Sequence, residues 1–461
     1  MTANDEFDRQ LTAWLTDSAG ATAPDYLGET LIAIGAQHQR RVLAFPSRWL
    51  PVAVALPRPG VGRSAALVAI LALLVVAGLV VFMAAGGNPR VPTQLPPPFG
   101  LARPGMIAFD KDGQIVLANP DGTGTHLLHP SDATQFGATF SRDGTRVAFW
   151  QEDGWKMVHG ADLQKASDLW VVDVDGSNGV NLTPDLEVAP GPYAPAGSWS
   201  PDGTSFVFTS DKDAPMYVVP TDGSAPPRAI GTGLVMPFHP AWSPDGSRIA
   251  FAGPERLPDD VLGPSKVYVI NPDGTGQEQV SRDGSGDGTG ALPAWSPDGR
   301  TLLYGVDVTA PSTPGSPPNA ASSTRVEIVA AERRPSGWTE RVVAPPSAVW
   351  VSTFSNDGSM IAFLRSRPGQ LGGDLFVVSV DGGGERMVSD RLVNVSVPCW
   401  SPDDQTIAML TGPIPPGGEA AGFGWPDQSY TLFPVGSGTP SGIAAGRVDG
   451  VFACSWQRLA P

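Results

Sequence analysis

Cysteine is almost missing from this chain of 461 residues, which has only Cys399 and Cys454. Two thiols cannot build a disulfide framework or a four-thiolate metal site, so both are excluded. Basic residues are also scarce, because 30 Lys and Arg stand against 46 Asp and Glu, a formal net charge of −16. An acidic chain repels nucleic acid phosphates, and we therefore expect no nucleic acid partner.

The motifs of common hydrolases are missing as well. The sequence contains no Gly-x-Ser-x-Gly nucleophile elbow and no His-Glu-x-x-His zinc site. Its five histidines are scattered, and only five residues follow Trp456, too few for a hydrolase domain at that end. From these absences we predict that the protein is not an enzyme, has no catalytic residue and uses no metal or cofactor.

Glycine and proline, in contrast, are abundant. The chain has 55 Gly and 48 Pro, roughly double the combined usage of about 12% in average proteins. Both residues punctuate a chain with turns, which argues against a mainly helical protein.

One motif recurs along the chain: an aromatic residue, then Ser-Pro-Asp-Gly or a close variant, then a short apolar strand. Copies begin at Phe140, Trp199, Trp242, Trp295, Phe354 and Trp400, and a truncated copy contains Trp456. In such a turn proline presets φ, aspartate bonds to its own backbone and glycine takes the left-handed conformation. Further strands with their own Asp-Gly turn follow, so each unit predicts a sheet of four antiparallel strands.

The two ends of the repeat array complement each other. Residues 105–129 match the last three strands of a unit but lack its leading aromatic strand, which the C-terminal VFACSW at 451–456 supplies. We therefore predict an all-β fold, a seven-bladed β-propeller over residues 106–461 that is closed by its C-terminal strand. Six blades is the alternative if the copy at Phe140 or Trp400 is not a full sheet. The copies resemble TolB-like and WD40-like β-propeller repeats, and the resemblance implies the same fold.

An apolar segment precedes the repeats. Residues 65–85 read AALVAILALLVVAGLVVFMAA, long enough to cross a bilayer, so we predict a transmembrane helix over 64–86. Five arginines between positions 40 and 63 precede it and only Arg90 and Arg103 follow closely, which places residues 1–63 in the cytoplasm. The predicted location is the cell membrane, with a single pass and an extracytoplasmic propeller. Residues 87–105 are rich in proline and form the predicted linker.

The segment 1–63 has two short helical patterns. Phe7, Leu11, Trp14 and Leu15 share one helix face, as do Leu27, Leu31 and Ile34. Cytoplasmic helices, one span and an outer domain form a layout similar to that of bacterial membrane-bound anti-sigma factors. That resemblance implies a sigma factor as a partner of residues 1–63.

The connections between strands differ in length on the two faces of the predicted ring. The Ser-Pro-Asp-Gly turns are short, whereas segments such as 151–167, 254–265 and 412–428 are long. Long loops are common sites of recognition, so the long-loop face is the predicted surface for a protein, peptide or cell-wall ligand. The candidate binding residues on it are Trp155, His159, Tyr193, His239, Asp259, Asp260 and Trp425.

Three functions follow from these patterns. The first is a membrane-anchored binding, sensor or scaffold module without catalysis. The second is a transmembrane anti-sigma-type regulator, and the third is a hydrolase or lyase acting in the propeller channel. Whether Cys399 and Cys454 pair stays open, because their offsets of one and two residues from a tryptophan predict opposite sheet faces.

Overall fold

The computed structural model describes residues 100–461 except 159–161, 185, 187–196, 210–214, 236, 259–261, 283–291, 309–325, 367–372, 394–396, 412–424, 437, 449–453 and 461. The predicted cytoplasmic helices, the transmembrane helix 64–86 and most of the linker lie outside the described residues. Within them, no helix is long and apolar enough to cross a membrane. The regular elements of the described residues are β-strands, as predicted.

The first four blades are separate four-stranded sheets. Blade 1 contains β1 (Arg103–Lys111), β2 (Gln114–Ala118), β3 (His126–Leu127) and the last strand of the chain, β27 (Cys454–Leu459). Blade 2 contains β4 (Gln135–Phe140), β5 (Arg146–Val158), β6 (Asp162–Asp173) and β7 (Val180–Asn181). Blade 3 contains β8 (Gly197–Trp199), β9 (Ser205–Thr209), β10 (Met216–Pro220) and β11 (Arg228–Ile230). Blade 4 contains β12 (Phe238–Trp242), β13 (Ile249–Arg256), β14 (Leu262–Ile270) and β15 (Glu278–Gln279).

The last three blades form one continuous sheet, because one long strand serves blades 5 and 6 and a single residue pair, Val393 opposite Thr411, links blade 6 to blade 7. Blade 5 contains β16 (Ala294–Trp295), β17 (Thr301–Asp307), β18 (Val326–Arg334) and the first part of β19 (Gly337–Phe354). The end of β19 is the first strand of blade 6, followed by β20 (Met360–Ser366), β21 (Gly373–Ser379) and β22 (Arg386–Val393). Blade 7 contains β23 (Cys399–Trp400), β24 (Thr406–Thr411), β25 (Trp425–Pro434) and β26 (Ser441–Val448). The prediction of seven blades is confirmed, and six is excluded because both weaker copies form full sheets.

The C-terminal strand closes the ring as predicted. In the β27–β1 pairing, Trp456 lies opposite Ile107, Ser455 opposite Ala108 and Cys454 opposite Phe109. Strand β1 begins at Arg103, so strand residues start slightly before the predicted boundary at 106.

Each of the seven core clusters lies between two neighbouring blades. The cluster between blades 7 and 1, for example, joins Leu410 and Tyr430 of blade 7 to Ile107, Phe109 and Trp456 of blade 1. The other six clusters bridge the remaining pairs in order around the ring. Because the blades bury one another's apolar faces, the core is a ring and every blade depends on both neighbours.

The repeated turn is held by a network that includes its serine. Ser243 Oγ donates to Asp245 Oδ1 at 2.6 Å and accepts from the Arg248 amide at 2.9 Å. Asp245 Oδ1 also accepts from the Ser247 amide at 3.0 Å, and Gly246 has a φ of 72°. The roles predicted for aspartate and glycine are confirmed, while sequence analysis assigned no role to the serine. The same two serine bonds recur at Ser141, Ser200, Ser296, Ser355 and Ser401.

The tryptophan of the motif ties one blade to the next. Trp456 Nε1 donates to the carbonyl of Cys399 on blade 7 at 3.1 Å. Trp199 bonds in the same way to Thr139 at 3.1 Å, and Trp295 to Ala241 at 3.0 Å. In each case the acceptor is the residue just before the aromatic residue of the preceding copy.

One predicted loop is a hairpin instead. Residues 151–167 belong largely to β5 and β6, which remain paired as far as Val158 and Asp162. Strands β13 and β14 likewise shorten the predicted loop 254–265 to a few residues. The prediction ended each strand where its short apolar run ends, whereas backbone pairing can continue beyond the apolar residues.

The effect of the interblade bond can be isolated by comparing two tryptophans. Trp456 and Trp400 are 7% and 8% exposed, but Trp400 Nε1 has no hydrogen-bond partner among the described residues. Phenylalanine already occupies this motif position at Phe140 and Phe354, so both variants should fold. We expect Trp456→Phe to lower the free energy of unfolding by about 1 kcal/mol more than Trp400→Phe does, measured by denaturant melts. Equal losses would contradict a stabilising role for the bond.

Candidate functional site in the axial channel

Seven strands from seven blades converge on one cavity. These are the first strands of the repeat units, β4, β8, β12, β16, the end of β19, β23 and β27, here called the inner strands. They and the turns after them line a cavity of about 290 Å³, here called the turn-side cavity, through Arg142, Ser198, Trp242, Trp295, Phe354, Trp400 and Arg458. Because every blade contributes to its wall, this cavity lies on the axis of the ring.

A second cavity of about 250 Å³ lies at the opposite ends of the inner strands. This loop-side cavity is lined by residues at the beginning of the inner strands, among them Gly137, Gly197, His239, Val397 and Cys454. Ala241 and Pro293 line both cavities. The two cavities therefore adjoin, and together they form an axial channel.

The channel changes character along its length. Arg142 and Arg458 are the ionisable residues that line the turn-side cavity, and no Asp or Glu is among its described lining. The loop-side cavity is lined by His239, Cys399 and Cys454 together with small and apolar residues, again without a described carboxylate. One end of the channel is therefore cationic, although the chain as a whole carries a formal charge of −16.

Arg458 is fixed in place at the cationic end. Its side chain is 6% exposed, and Nη1 donates to Asn356 Oδ1 at 2.6 Å while Nη2 donates to the Gly100 carbonyl. Asn356 is itself held by Asp404, whose Oδ1 accepts from the Asn356 side chain at 2.7 Å. Burial lowers the pKa of Arg458, and the charge of Asp404 partly opposes that shift.

His239 is the predicted binding residue that the structure places in the channel. It lies on β12, has a φ of 52° and is half-buried rather than exposed on a loop. Burial lowers its pKa to about 4, so the imidazole is neutral near pH 7. A neutral imidazole can accept or donate one hydrogen bond to a ligand in the loop-side cavity.

The two cysteines meet at the interface of blades 7 and 1. Cys399 Sγ donates to the Cys454 carbonyl at 3.0 Å, and both residues line the loop-side cavity. Sequence analysis predicted that the two cysteines face opposite sides of their sheets. They are still in contact, because one face of blade 7 packs against the opposite face of blade 1. Burial raises the pKa of Cys454, helped by the neighbouring Cys399 thiol and the charge of Asp110. The Cys454 thiol is therefore protonated at neutral pH and is a poor nucleophile.

Asp110 is a buried group that sequence analysis missed. Its side chain is fully buried, and its two carboxylate oxygens accept from the Gly137 amide at 3.1 and 3.0 Å. Gly137 lines the loop-side cavity, so Asp110 supports the channel wall from behind. Its position in a strand with no motif around it left no signal in the sequence.

The side chains of the other predicted site residues lie outside the described structure. Trp155 lies on β5 and Trp425 begins β25, and their side chains are outside the described part. His159, Tyr193, Asp259 and Asp260 lie outside the described residues. Binding by the long-loop face therefore remains a prediction.

Comparison with known proteins adds sequence relatives. No family model matches the chain. The uncharacterized protein Atu1656 of Agrobacterium fabrum is 27% identical over 161 residues, covering 34% of this chain and 52% of that protein. Dipeptidyl-peptidase 5 of Porphyromonas endodontalis is 33% identical over 123 residues, covering 25% and 16%. The uncharacterized peptidase YuxL of Bacillus subtilis is 24% identical over 211 residues, covering 37% and 29%. The matches thus span at most about half the length of these relatives.

Solved structures share the architecture. TolB from Acinetobacter baumannii matches with a TM-score of 0.42 and 12% identity, covering 76% of this chain and 66% of that one. The tricorn protease matches with a TM-score of 0.50 and 15% identity, covering 76% and 35%. At such identities the likeness concerns the fold alone, and the strand topology of this chain is that of a seven-bladed β-propeller.

The comparisons correct one prediction. Two of the three relatives are named peptidases, which contradicts the prediction that the protein is not an enzyme. The prediction was drawn from missing motifs, and a motif search detects only chemistry whose residues have a fixed spacing in the sequence. A channel assembled from seven distant strands has no such spacing.

The buried imidazole of His239 makes stability depend on pH. The unfolded histidine binds a proton below about pH 6.5, whereas the folded one does so only below about pH 4. The free energy of unfolding should therefore fall as the pH is lowered from about 6.5 to about 4, by at most about 3 kcal/mol for this residue. Asparagine tolerates the positive φ of this position, so His239→Asn should fold. In this variant the fall in the free energy of unfolding that is due to His239 should be absent, as measured by denaturant melts at several pH values. An identical slope in the variant, or a His239 ring that titrates near 6.5 by NMR, would contradict the assignment.

Proposed function

We propose that this protein takes part in peptide processing and that the axial channel receives the peptide. The observation behind the proposal is the convergence of seven inner strands on the turn-side cavity of about 290 Å³, next to the loop-side cavity of about 250 Å³. Small-molecule and peptide sites are concave and commonly have volumes of roughly 300–1,000 Å³. The peptidase names of two relatives support peptide as the substrate class.

The channel wall suits an extended chain. At the loop side it is lined by the backbone of Gly137 and Gly197 and by apolar side chains that include Phe149, Trp150 and Phe206. Such a wall offers apolar surface to the side chains of a bound peptide. His239 adds a neutral hydrogen-bonding group there, and the arginines add charge at the far end.

The cellular setting of this activity is also a proposal. The run 65–85 and the arginines before it support a single-pass protein with its N-terminus in the cytoplasm and its propeller outside. Peptides or cell-wall fragments would then be the available substrates. A regulatory role of residues 1–63 toward a sigma factor remains a further hypothesis, and deletion of that segment with a transcriptional readout tests it.

A peptide assay on the full chain tests the function. The protein is mixed with a library of unlabelled peptides of three to ten residues, cleavage is followed by mass spectrometry, and binding is measured with fluorescent members. We expect binding and turnover by the wild type, and a loss of at least tenfold in Ala241→Trp, because Ala241 lines both cavities. Absence of both binding and cleavage by the folded wild type would overturn the proposal.

A matched variant controls for the added bulk. Ala229 lies exposed on β11, the outer strand of blade 3, away from the channel lining. Ala229→Trp should bind and process peptides as the wild type does. If Ala241→Trp kept wild-type binding as well, the peptide would not occupy the channel.

A further inference from the structure

We infer that Cys399 and Cys454 form a disulfide that cross-links blade 7 to the strand that closes the ring. Such a bond is a covalent modification made by thiol–disulfide exchange, with a disulfide such as oxidised glutathione as the oxidant. The two residues begin neighbouring inner strands, Cys399 in β23 and Cys454 in β27. The inference does not depend on the proposed function, because its evidence lies in the contacts between these two strands.

The two cysteine side chains are in direct contact. Cys399 Sγ donates to the Cys454 carbonyl oxygen at 3.0 Å, and the two thiols also form a hydrogen bond with each other. The reduced pair therefore already holds its sulfur atoms close together. A disulfide requires them to approach to about 2.05 Å, and we expect rotation of the two side chains to supply the rest of this approach.

Contacts other than their own hold the two cysteines in place. Trp456 Nε1 donates to the Cys399 carbonyl at 3.1 Å, and Cys454 lies opposite Phe109 in the pairing of β27 with β1. Both cysteines also pack against the core cluster between blades 7 and 1. The fold therefore sets the positions of the two thiols before any bond forms between them, as a pre-organised site requires.

The cysteines occupy matched positions in two successive copies of the motif. Cys399 stands one residue before Trp400, and Cys454 stands two residues before Trp456 of the next copy. At the other interfaces of the ring the first of these positions carries Thr, Ser or Ala, and the second carries Gly, Pro, Ser or Ala. The only two cysteines of the chain thus fall on one such pair of positions, at the interface that the C-terminal strand closes.

The exchange is balanced in two steps. The thiolate of one cysteine attacks a sulfur of oxidised glutathione, which forms a mixed disulfide and releases one glutathione thiolate. The thiolate of the second cysteine then attacks the mixed disulfide, forms the Cys399–Cys454 bond and releases the second glutathione. The two thiol protons of the pair are taken up by the two glutathione thiolates, and the two electrons of the pair reduce the glutathione disulfide.

The environment of Cys454 makes the bond a lasting cross-link rather than a rapid switch. Burial, and then the hydrogen bond with Cys399, raise the pKa of Cys454 well above its ordinary value. Little Cys454 thiolate is therefore present at neutral pH, and exchange in the closed ring is slow. A mildly alkaline solution increases the thiolate population and brings the exchange to equilibrium sooner.

The bond strengthens the closure of the ring. Cys399 and Cys454 are 55 positions apart in the chain. A cross-link over such a separation restricts the unfolded chain, and this is the main way in which disulfides stabilise proteins. It also keeps β27 attached to blade 7 when the hydrogen bonds between β27 and β1 break, so the closing strand can pair again.

Mass spectrometry of the full chain tests whether the bond forms. The protein is reduced in detergent, incubated at mildly alkaline pH with reduced and oxidised glutathione until its mass is constant, and digested without reductant. We expect a mass lower by two hydrogen atoms and a cross-linked pair of peptides that contain Cys399 and Cys454. Cys399→Ser and Cys454→Ala install the residues that stand at the same positions in other copies, Ser198 and Ala138, so both variants should fold without the cross-link.

Denaturant melts test whether the bond secures the ring. The equilibrium constant for unfolding should be at least tenfold lower in the oxidised wild type than in the reduced one. The double variant Cys399→Ser/Cys454→Ala has no thiol, so its melt should be the same in oxidising and reducing buffer.

Several outcomes would overturn the inference. At constant mass, two free thiols, glutathione adducts alone or a cross-link between two chains would each show that the pair does not form the bond. A bond between Cys399 and Cys454 that leaves the resistance to denaturant unchanged or lowers it would show that it does not secure the closure. Peptide binding enters none of these measurements, so the proposed function stands or fails separately.

Discussion

The pairing of β27 with β1 is the interaction on which the rest of this structure depends. Each blade buries its apolar faces against two neighbours, so a ring with one open interface would expose the faces of blades 7 and 1 together. The closing strand brings Trp456 into that interface and Arg458 into the turn-side cavity. The strand that seals the core therefore also completes the wall of the channel.

The repeated turn has two roles that are separated by position. Its serine and aspartate hold the hairpin in every full copy, and these positions do not vary in chemistry around the ring. The proline position does vary, with arginine or asparagine in three copies, and these three residues line the turn-side cavity. A repeat protein can in this way keep its folding signal while changing the chemistry of the channel, one copy at a time.

The distribution of charge in the channel is opposite to that of the chain as a whole. A formal charge of −16 describes the sum over the protein, whereas two arginines and no described carboxylate line the turn-side cavity. Because the wall has a low dielectric constant, those two charges interact more strongly with a bound ligand than distant surface charges do. Net charge predicted that nucleic acid is not a partner, but it did not indicate that one end of the channel is cationic.

The amino-acid sequence alone predicted the fold class and the strand that closes the ring, and it favoured seven blades over six. It could do so because those features depend on local turn chemistry and on a repeat that is legible copy by copy. The channel was decided by the tertiary structure, since Arg142, Asn356 and Arg458 come from three blades and line one cavity only after closure. Sequence analysis marked His239 as a residue of the long-loop face, and the structure places it on an inner strand at the loop-side end of the channel. It did not single out the two arginines. The role of a residue that departs from the repeat depends on which residues of the other blades lie near it. The fold alone decides which residues those are.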